Sequence, residues 1–304
     1  MAHQQGQLLS KGCSRVFKAN LQAAAADIQS HFDVVLGQLE PVPVVEAMAH
    51  ASNGGKRLRG FLVLESARLH GIPREQAIWP ATAIEALHAY SLVHDDLPCM
   101  DDDDMRRGQP TVHKKWDDAT AVLAGDALHT LAFELVSHPN ASPSGDVRAA
   151  LALSLAKAGG ARGMVLGQAL DIAAESATTP LTLQDIVTLQ RGKTGALIEW
   201  SGTAGAIMAQ ADDTSLATYA RSIGLAFQVA DDILDVIGDS ATVGKAVGKD
   251  EQAGKATFVS LLGLDEAKAR ATQLVEEACD SLSNYGKAAD TLRDTARFII
   301  ARTH

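Results

Sequence analysis

The chain has 304 residues, of which 46% are hydrophobic, 21% charged and only 4% aromatic. That apolar share supports a large core and excludes wholesale disorder, and its small and straight-chain side chains favour closely packed helices over a β-sandwich. A formal net charge of −10 argues against a general nucleic-acid binder but leaves room for a local basic cluster that takes an anionic small substrate.

Helical periodicity dominates and strand alternation is nearly absent. The first residues, Met1-Ala2-His3-Gln4-Gln5-Gly6-Gln7, carry no charged-then-apolar signal pattern. No apolar run is expected to cross a bilayer, since Glu199 interrupts the best candidate, 196–208. Helices are predicted over 17–38 and 43–52, after which Gly54-Gly55-Lys56-Arg57-Leu58-Arg59 opens another over 56–70. Glycines permit close backbone approach there, amides at a helix start favour an anion, and Lys56 and Arg59, three apart, share a face. Gly71-Ile72-Pro73 then leads into a helix over 74–97.

That helix carries the strongest feature, Leu92-Val93-His94-Asp95-Asp96-Leu97-Pro98-Cys99-Met100-Asp101-Asp102-Asp103-Asp104. Carboxylates in its last turns oppose the negative end of the helix dipole. At 4 Å they repel by roughly 4 kcal/mol at an effective dielectric of 20, so a compensating cation is expected. A solvated acidic loop has the same composition. His88 and Ser91 lie seven and four residues before Asp95, on its face of the helix. Arg106-Arg107-Gly108 follows directly, either to grip phosphate through guanidinium forks or to pair with the neighbouring aspartates.

Further helices are predicted over 117–138, 145–158, 160–176, 182–209 and 213–237, the fourth opened by a capping-box pattern at Thr182-Leu183-Gln184-Asp185. Inside it, Arg191-Gly192-Lys193-Thr194-Gly195 mimics the end of a P-loop, but Val187 stands where that motif needs glycine and no strand precedes it. A kinked helix presenting Lys193 and Thr194 inward is the expectation. In the last of these helices Gln228, Asp231, Asp232 and Asp235 fall at i, i+3, i+4 and i+7, one stripe with three aspartates and no base. A glycine- and lysine-rich connection, 238–254, follows, long enough to be functional or disordered. Helices over 264–285 and 288–302 complete the chain. With no repeat and no linker between composition classes, a single all-α domain is expected. Cys13, Cys99 and Cys279 show no metal or disulfide spacing and fit a reducing cytoplasm.

Two sites of the form apolar helix, Asp-Asp, then loop, if they faced each other, could hold hard divalent cations. Mg²⁺ takes one or two carboxylates and completes its shell with water and phosphate. Neither cluster has a calcium-loop spacing.

These residues resemble the trans-isoprenyl diphosphate (polyprenyl) synthase family. Asp95-Asp96-x-x-x-x-Asp101 with Arg106-Arg107-Gly108 is similar to its first aspartate-rich motif, and Gln228-x-x-Asp231-Asp232-x-x-Asp235 to its second. Gly55-Lys56-Arg57-x-Arg59 is similar to its homoallylic diphosphate site, with Lys193-Thr194 and the lysine loop in order behind them. The resemblance implies a helical bundle around a deep apolar cavity, a homodimer, and head-to-tail condensation of isopentenyl diphosphate with dimethylallyl or geranyl diphosphate. It implies that Asp95 and Asp101 bind two Mg²⁺ ions and Asp231 a third, with Asp96, Asp232 and Asp235 as neighbouring or water-mediated ligands. Lys56, Arg59, His88 and Arg107 would hold isopentenyl diphosphate. Arg106, Lys193, Lys245 and Lys255 would hold the allylic diphosphate, with Thr194 and Gln228 beside the reacting carbon. Tyr90 and Ser91, five and four residues before Asp95, lie about 6–7.5 Å along the helix. Tyr90 resembles the pattern of bacterial members that form a fifteen-carbon product; a twenty-carbon product, a class I terpene cyclase and a non-catalytic partner subunit are the alternatives.

Overall fold

The computed structural model describes residues 15–177, 179–237 and 256–301. In chain order these form α1 (Arg15–Leu36), α2 (Pro43–Ser52), α3 (Leu58–Leu69), α4 (Arg74–Asp95), the two-residue strands β1 (Met105–Arg106) and β2 (Gln109–Pro110), and α5 (Val112–Lys115). Then come α6 (Asp118–Ser137), α7 (Gly145–Gly159), α8 (Met164–Glu175), α9 (Leu183–Gln190), a π-helical turn (Arg191–Gly195), α10 (Ala196–Ala209) and α11 (Thr214–Ile237). The chain closes with α12 (Phe258–Leu262), α13 (Leu264–Ser281), a 3₁₀ turn (Ser283–Ala289) and α14 (Asp290–Ile300). The fold is all-α, as the periodicity requires. The segment 238–254 lies outside the described residues.

Three boundaries differ from the sequence reading, each for a local reason. The helix expected from residue 56 begins at Leu58, because Gly54, Gly55 and Arg57 all take positive φ and Arg57 is drawn inward by a buried carboxylate. The helix expected over 182–209 is three pieces, since backbone-to-backbone contact with α8 at Gly192 widens one turn to π geometry. Between β1 and β2, Arg107 (φ 53°) and Gly108 (φ 76°) make a hairpin of the type I′ kind, too short to show strand alternation.

The chain gathers into two compact units. One comprises Ala19–Leu155 with Ala204–Ala211, and α4 is its centre. Ala77, Ala81, Ala83, Ala86 and Ala89 of α4 are buried together with Ile84 and Leu87. Small side chains over so much of its surface let α3 and α6 pack closely against it. Asp117 caps α6 by accepting the Thr120 N–H at 2.6 Å.

The other unit comprises Ala156–Thr203 and the described chain from Asp212 onward, with the first turn of α1. Here α11 buries Ile223, Ala226, Val229, Ala230 and Ile233, and packs on α13 and α14. Tyr219, fully buried, donates its hydroxyl to the Leu292 carbonyl at 2.7 Å and so avoids an unpaired polar group in the core. Thr182 and Asp185 form the reciprocal capping box at the start of α9.

Two described stretches are long and apolar enough to cross a membrane by composition, against the sequence expectation: Asp118–Ser137 and Gly145–Glu175. The first is α6, a core helix of its unit. The second is broken by the turn at 160–163 into α7 and α8, of 15 and 12 residues. Fifteen helical residues reach only about 22 Å, short of a hydrocarbon core of about 30 Å.

A methyl group on Gly167 would lie 1.9 Å from the Lys193 amide nitrogen, in backbone with nowhere to move. Gly167→Ala is expected to destabilise by about 1–3 kcal/mol, overriding the usual helical gain of about 1 kcal/mol. Gly145→Ala, whose new methyl meets only Arg148 at 3.8 Å, should change stability by less than about 0.5 kcal/mol. Urea midpoints of the two variants check this.

Candidate active site

In the unit built on α4, four arginines lie near enough to one histidine to act on its charge. His88 lies in the positive field of Arg59, Arg107, Arg106 and Arg57, and burial together with that field holds its imidazole well below 6.5. At neutral pH it is therefore uncharged. Arg57 is anchored: its guanidinium donates to Gln29 Oε1 at 2.7 Å and to the Ser52 carbonyl, and faces the nearly sealed Glu85 carboxylate at 3.8 Å. Arg106 is anchored too, forking onto Asp96 at 2.7 and 2.9 Å, with Asp103 at 3.6 Å. Burial pushes the Asp96 carboxyl up, and Arg106 pulls it part of the way back.

Arg59 and Arg107 are different. Neither has an ion-pair partner among the described residues, and Arg59 Nε is enclosed with no hydrogen-bond partner. Arg107 lies across the backbone of Gly55, where a Cβ would sit 2.8 Å from its guanidinium, and it donates a long 3.5 Å hydrogen bond to the Gly54 carbonyl. Two guanidinium groups gathered beside a neutral histidine leave positive charge uncompensated, the arrangement that receives a polyanion. A cavity of about 170 Å³ opens beside Arg107, with Ala89 and Val93 on its apolar side and Asp96, Arg106 and Arg107 on its polar side.

The first aspartate cluster closes on itself. Asp95 ends α4, the chain turns through Leu97–Met100, and the Asp101 N–H returns to donate to the Asp95 carbonyl at 2.9 Å. The four-residue insertion between Asp96 and Asp101 is thus absorbed by a turn, and the two ends of the motif become neighbours. Further on, Asp102, Asp104 and His113 bring one ligand atom each within 4.8 Å of one another, a set that could hold a metal ion. The Lys114 ammonium stands at 2.9 Å from Asp104 and 3.8 Å from Asp102, so a cation is already present there.

In the other unit the π-helical turn presents Lys193, paired with Asp171 of α8, and the half-buried Thr194. On α11, Gln228, Asp231, Asp232 and Asp235 are half-buried along one face, with Val229, Ala230 and Ile233 buried behind them. Asp232 accepts the Phe258 N–H at 2.7 Å and so ties the start of α12. Lys56 stands exposed in the turn before α3 rather than on the helix with Arg59. Lys245 and Lys255 lie outside the described residues. Tyr90 is half-buried, and Ser91 turns its hydroxyl onto the His88 carbonyl of its own helix at 2.9 Å.

A family model of polyprenyl synthetases matches residues 42–293. The chain belongs to the polyprenyl synthetase family. It is 48% identical over 269 residues to a farnesyl diphosphate synthase of Escherichia coli, covering 86% of this chain and 89% of that one. To a farnesyl diphosphate synthase of Haemophilus influenzae it is 43% identical over 295 residues, covering 94% and 98%. Among solved structures, an FPP/GFPP synthase from Zymomonas mobilis superposes with a TM-score of 0.86 at 47% identity, covering 93% of this chain and 98% of that one.

Sequence reasoning passed over Asp171 and Gln168, although Gly167-Gln168-x-x-Asp171 interrupts an otherwise apolar helix and was the available signal. Gln168 Oε1 is buried without a partner, and Asp171 holds Lys193. It also passed over Arg57 as the anchor of the arginine group, because nothing local marks a residue paired with Glu85, 28 positions away.

Because His88 is held neutral by its surroundings, an anion that offsets the arginine field raises its proton affinity. Below pH 6.5, binding of inorganic diphosphate is expected to take up more protons, net of those the diphosphate itself releases, in the parent than in His88→Gln. Calorimetry in buffers of different ionisation enthalpy reads it directly; uptake unchanged in His88→Gln would assign the proton elsewhere.

Proposed function

We propose that this chain is a prenyltransferase that condenses isopentenyl diphosphate head-to-tail with dimethylallyl and then geranyl diphosphate, giving farnesyl diphosphate. The observation that carries this reading is the unpaired Arg59 and Arg107 beside neutral His88, in the same unit as the closed Asp95–Asp101 turn. A diphosphate needs both cation donors and metal-binding carboxylates. The likeness to two farnesyl diphosphate synthases supports the product.

The donors Asp95, Asp101 and Asp231 are all carboxylates, an oxygen-only set that fits hard Mg²⁺. We assign two ions to Asp95 and Asp101 and one to Asp231, with Asp96, Asp232 and Asp235 beside them. Bound Mg²⁺ supplies positive charge against which a diphosphate can leave. Of the chain's own residues, Lys56, Arg59, His88 and Arg107 hold isopentenyl diphosphate. Arg106, Lys193, Lys245 and Lys255 hold the allylic diphosphate, with Asp96 and Asp171 fixing the first two of these from behind. Thr194 and Gln228 stand beside the allylic carbon and orient it. The allylic C–O bond breaks, the double bond of isopentenyl diphosphate supplies the electron pair for the new C–C bond, and the resulting cation gives a proton to the departed diphosphate. No side-chain general base is needed, so the site is built of charge rather than of proton donors. Tyr90 ends elongation at fifteen carbons.

The chain is further proposed to act as one catalytic domain, supported by a family match that runs through both units. A homodimer is supported by large apolar side chains left exposed in each unit, Leu123 and Leu153 in one and Leu166 and Ile172 in the other. Free Cys99 and Cys279 suit a reducing cytoplasm.

Purified protein with Mg²⁺, isopentenyl diphosphate and either dimethylallyl or geranyl diphosphate should yield a fifteen-carbon diphosphate by mass spectrometry. A twenty-carbon product would retain the reaction and discard the stop; no metal-dependent condensation would overturn the reading. Asp95→Ala or Asp231→Ala should lower turnover on the order of a hundredfold to a thousandfold with unchanged circular dichroism. Arg59→Ala should raise KM for isopentenyl diphosphate about tenfold or more and that for the allylic partner much less. The reverse order would show the two diphosphate sites exchanged.

A further inference from the structure

Tyr90 does not stand alone. Its ring meets His94, one turn along α4, edge-on at 5.1 Å, and His129 on α6 at 4.9 Å with an interplanar angle of 66°. His129 in turn meets Phe133, one turn further along α6, at 5.2 Å and 62°. The four rings form a row between two helices of the same unit, in the edge-to-face geometry that aromatic groups prefer.

One end of the row is fixed. His94 Nε2 lies 3.1 Å from the Val122 carbonyl and directly over Gly125, where a Cβ would come within 2.1 Å of that nitrogen. The bare backbone of Gly125 is what lets His94 sit down on α6. At the other end Phe133 is carried one helical turn from His129 and braces it. Burial lowers the proton affinity of His129, so the contact with Tyr90 is between neutral rings.

A tyrosine on a half-exposed helix face has alternative rotamers of similar energy, and a side chain that rotates away cannot block anything. Ser91, its neighbour, offers no brace, because its hydroxyl is committed to the His88 carbonyl. His94 belongs to the same helix as Tyr90, so among the described residues the aromatic ring that meets Tyr90 from outside that helix is that of His129.

We propose that His129 is a positioning residue for product length: its imidazole holds the Tyr90 ring in the orientation that ends chain elongation. This rests on the reading that Tyr90 is the stop. His129 acts through Tyr90 and not by touching the isoprenoid, which fixes how the two positions combine.

The test uses full-length protein with Mg²⁺, geranyl diphosphate and excess isopentenyl diphosphate, and reads the ratio of twenty- to fifteen-carbon products by mass spectrometry. His129→Ala should raise that ratio about fivefold to tenfold, the scale of one lost ring contact, with substrate consumption within about threefold of the parent. His129→Phe, which restores a ring, should return the ratio to the parent value. In the Tyr90→Ala background, adding His129→Ala should change the ratio no further, since the group it positions is gone. An unchanged ratio in His129→Ala, or no rescue by His129→Phe, overturns the proposal. Additional lengthening in the double variant overturns it as well, by placing His129 on the chain itself. If Tyr90→Ala condenses normally yet keeps the parent ratio, the stop is elsewhere and this inference falls with that reading. Thermal midpoints of both His129 variants distinguish a loosened brace from a lost fold.

Discussion

Glu85 sits in the middle of a helix, almost sealed from water, and it is tolerable there because Arg57 faces it and the Gly60 amide donates to it at 2.8 Å. A lone carboxylate in such a place would neutralise or unfold its surroundings. The pair has further reach. Gly60 lies in the first turn of α3, so Glu85 of α4 takes up an amide that the helix start leaves without an intrahelical partner. Arg57 must adopt a left-handed backbone to turn inward, and it is held there by Gln29 of α1, the Ser52 carbonyl at the end of α2 and the face of Phe32 at 5.2 Å. One buried ion pair thus joins α1, α2, α3 and α4, and decides where α3 begins and where Arg59 emerges.

Charge balance around that pair explains the site. Among the arginines near His88, Arg57 and Arg106 are matched by Glu85 and Asp96. Arg59 and Arg107 are left over, and the surplus defines an anion site more sharply than the number of basic residues would. The backbone bears the mark of the same demand: of the four non-glycine residues at positive φ among the described residues, Arg57, Asp102 and Arg107 all belong to the segments that shape this region. Such conformations cost on the order of 1–3 kcal/mol each and persist where the surroundings over-determine them.

Close packing at glycine does the corresponding work within each unit. Gly125 admits His94 to the surface of α6, and Gly167 brings α8 against the turn that carries Lys193. Gly205 lets its amide reach Ser66 Oγ of α3 at 3.1 Å. In each case a methyl group would strike a ring or a backbone atom, so side chains with chemical tasks are held by helix positions whose only qualification is the absence of a side chain.

The all-α class, the two aspartate motifs and the basic segments were legible in the sequence, because helical periodicity and local spacing survive without knowledge of long-range contacts. Asp231 and Asp235 share a face by helix geometry alone. What spacing could not reveal was which charge neutralises which: Arg106 pairs with Asp96 ten residues back, Lys193 with Asp171 on another helix, and Arg57 with Glu85 across 28 residues. Nor could it place Tyr90 against His129, 39 residues on. The sequence by itself determined the helices and the stock of charged and aromatic groups, since these follow from short-range sterics and composition. Only the tertiary structure decided which of those groups cancel, which remain exposed to a ligand, and which brace a neighbour. Electrostatic and packing energies depend on distances through space, and chain separation does not set those distances.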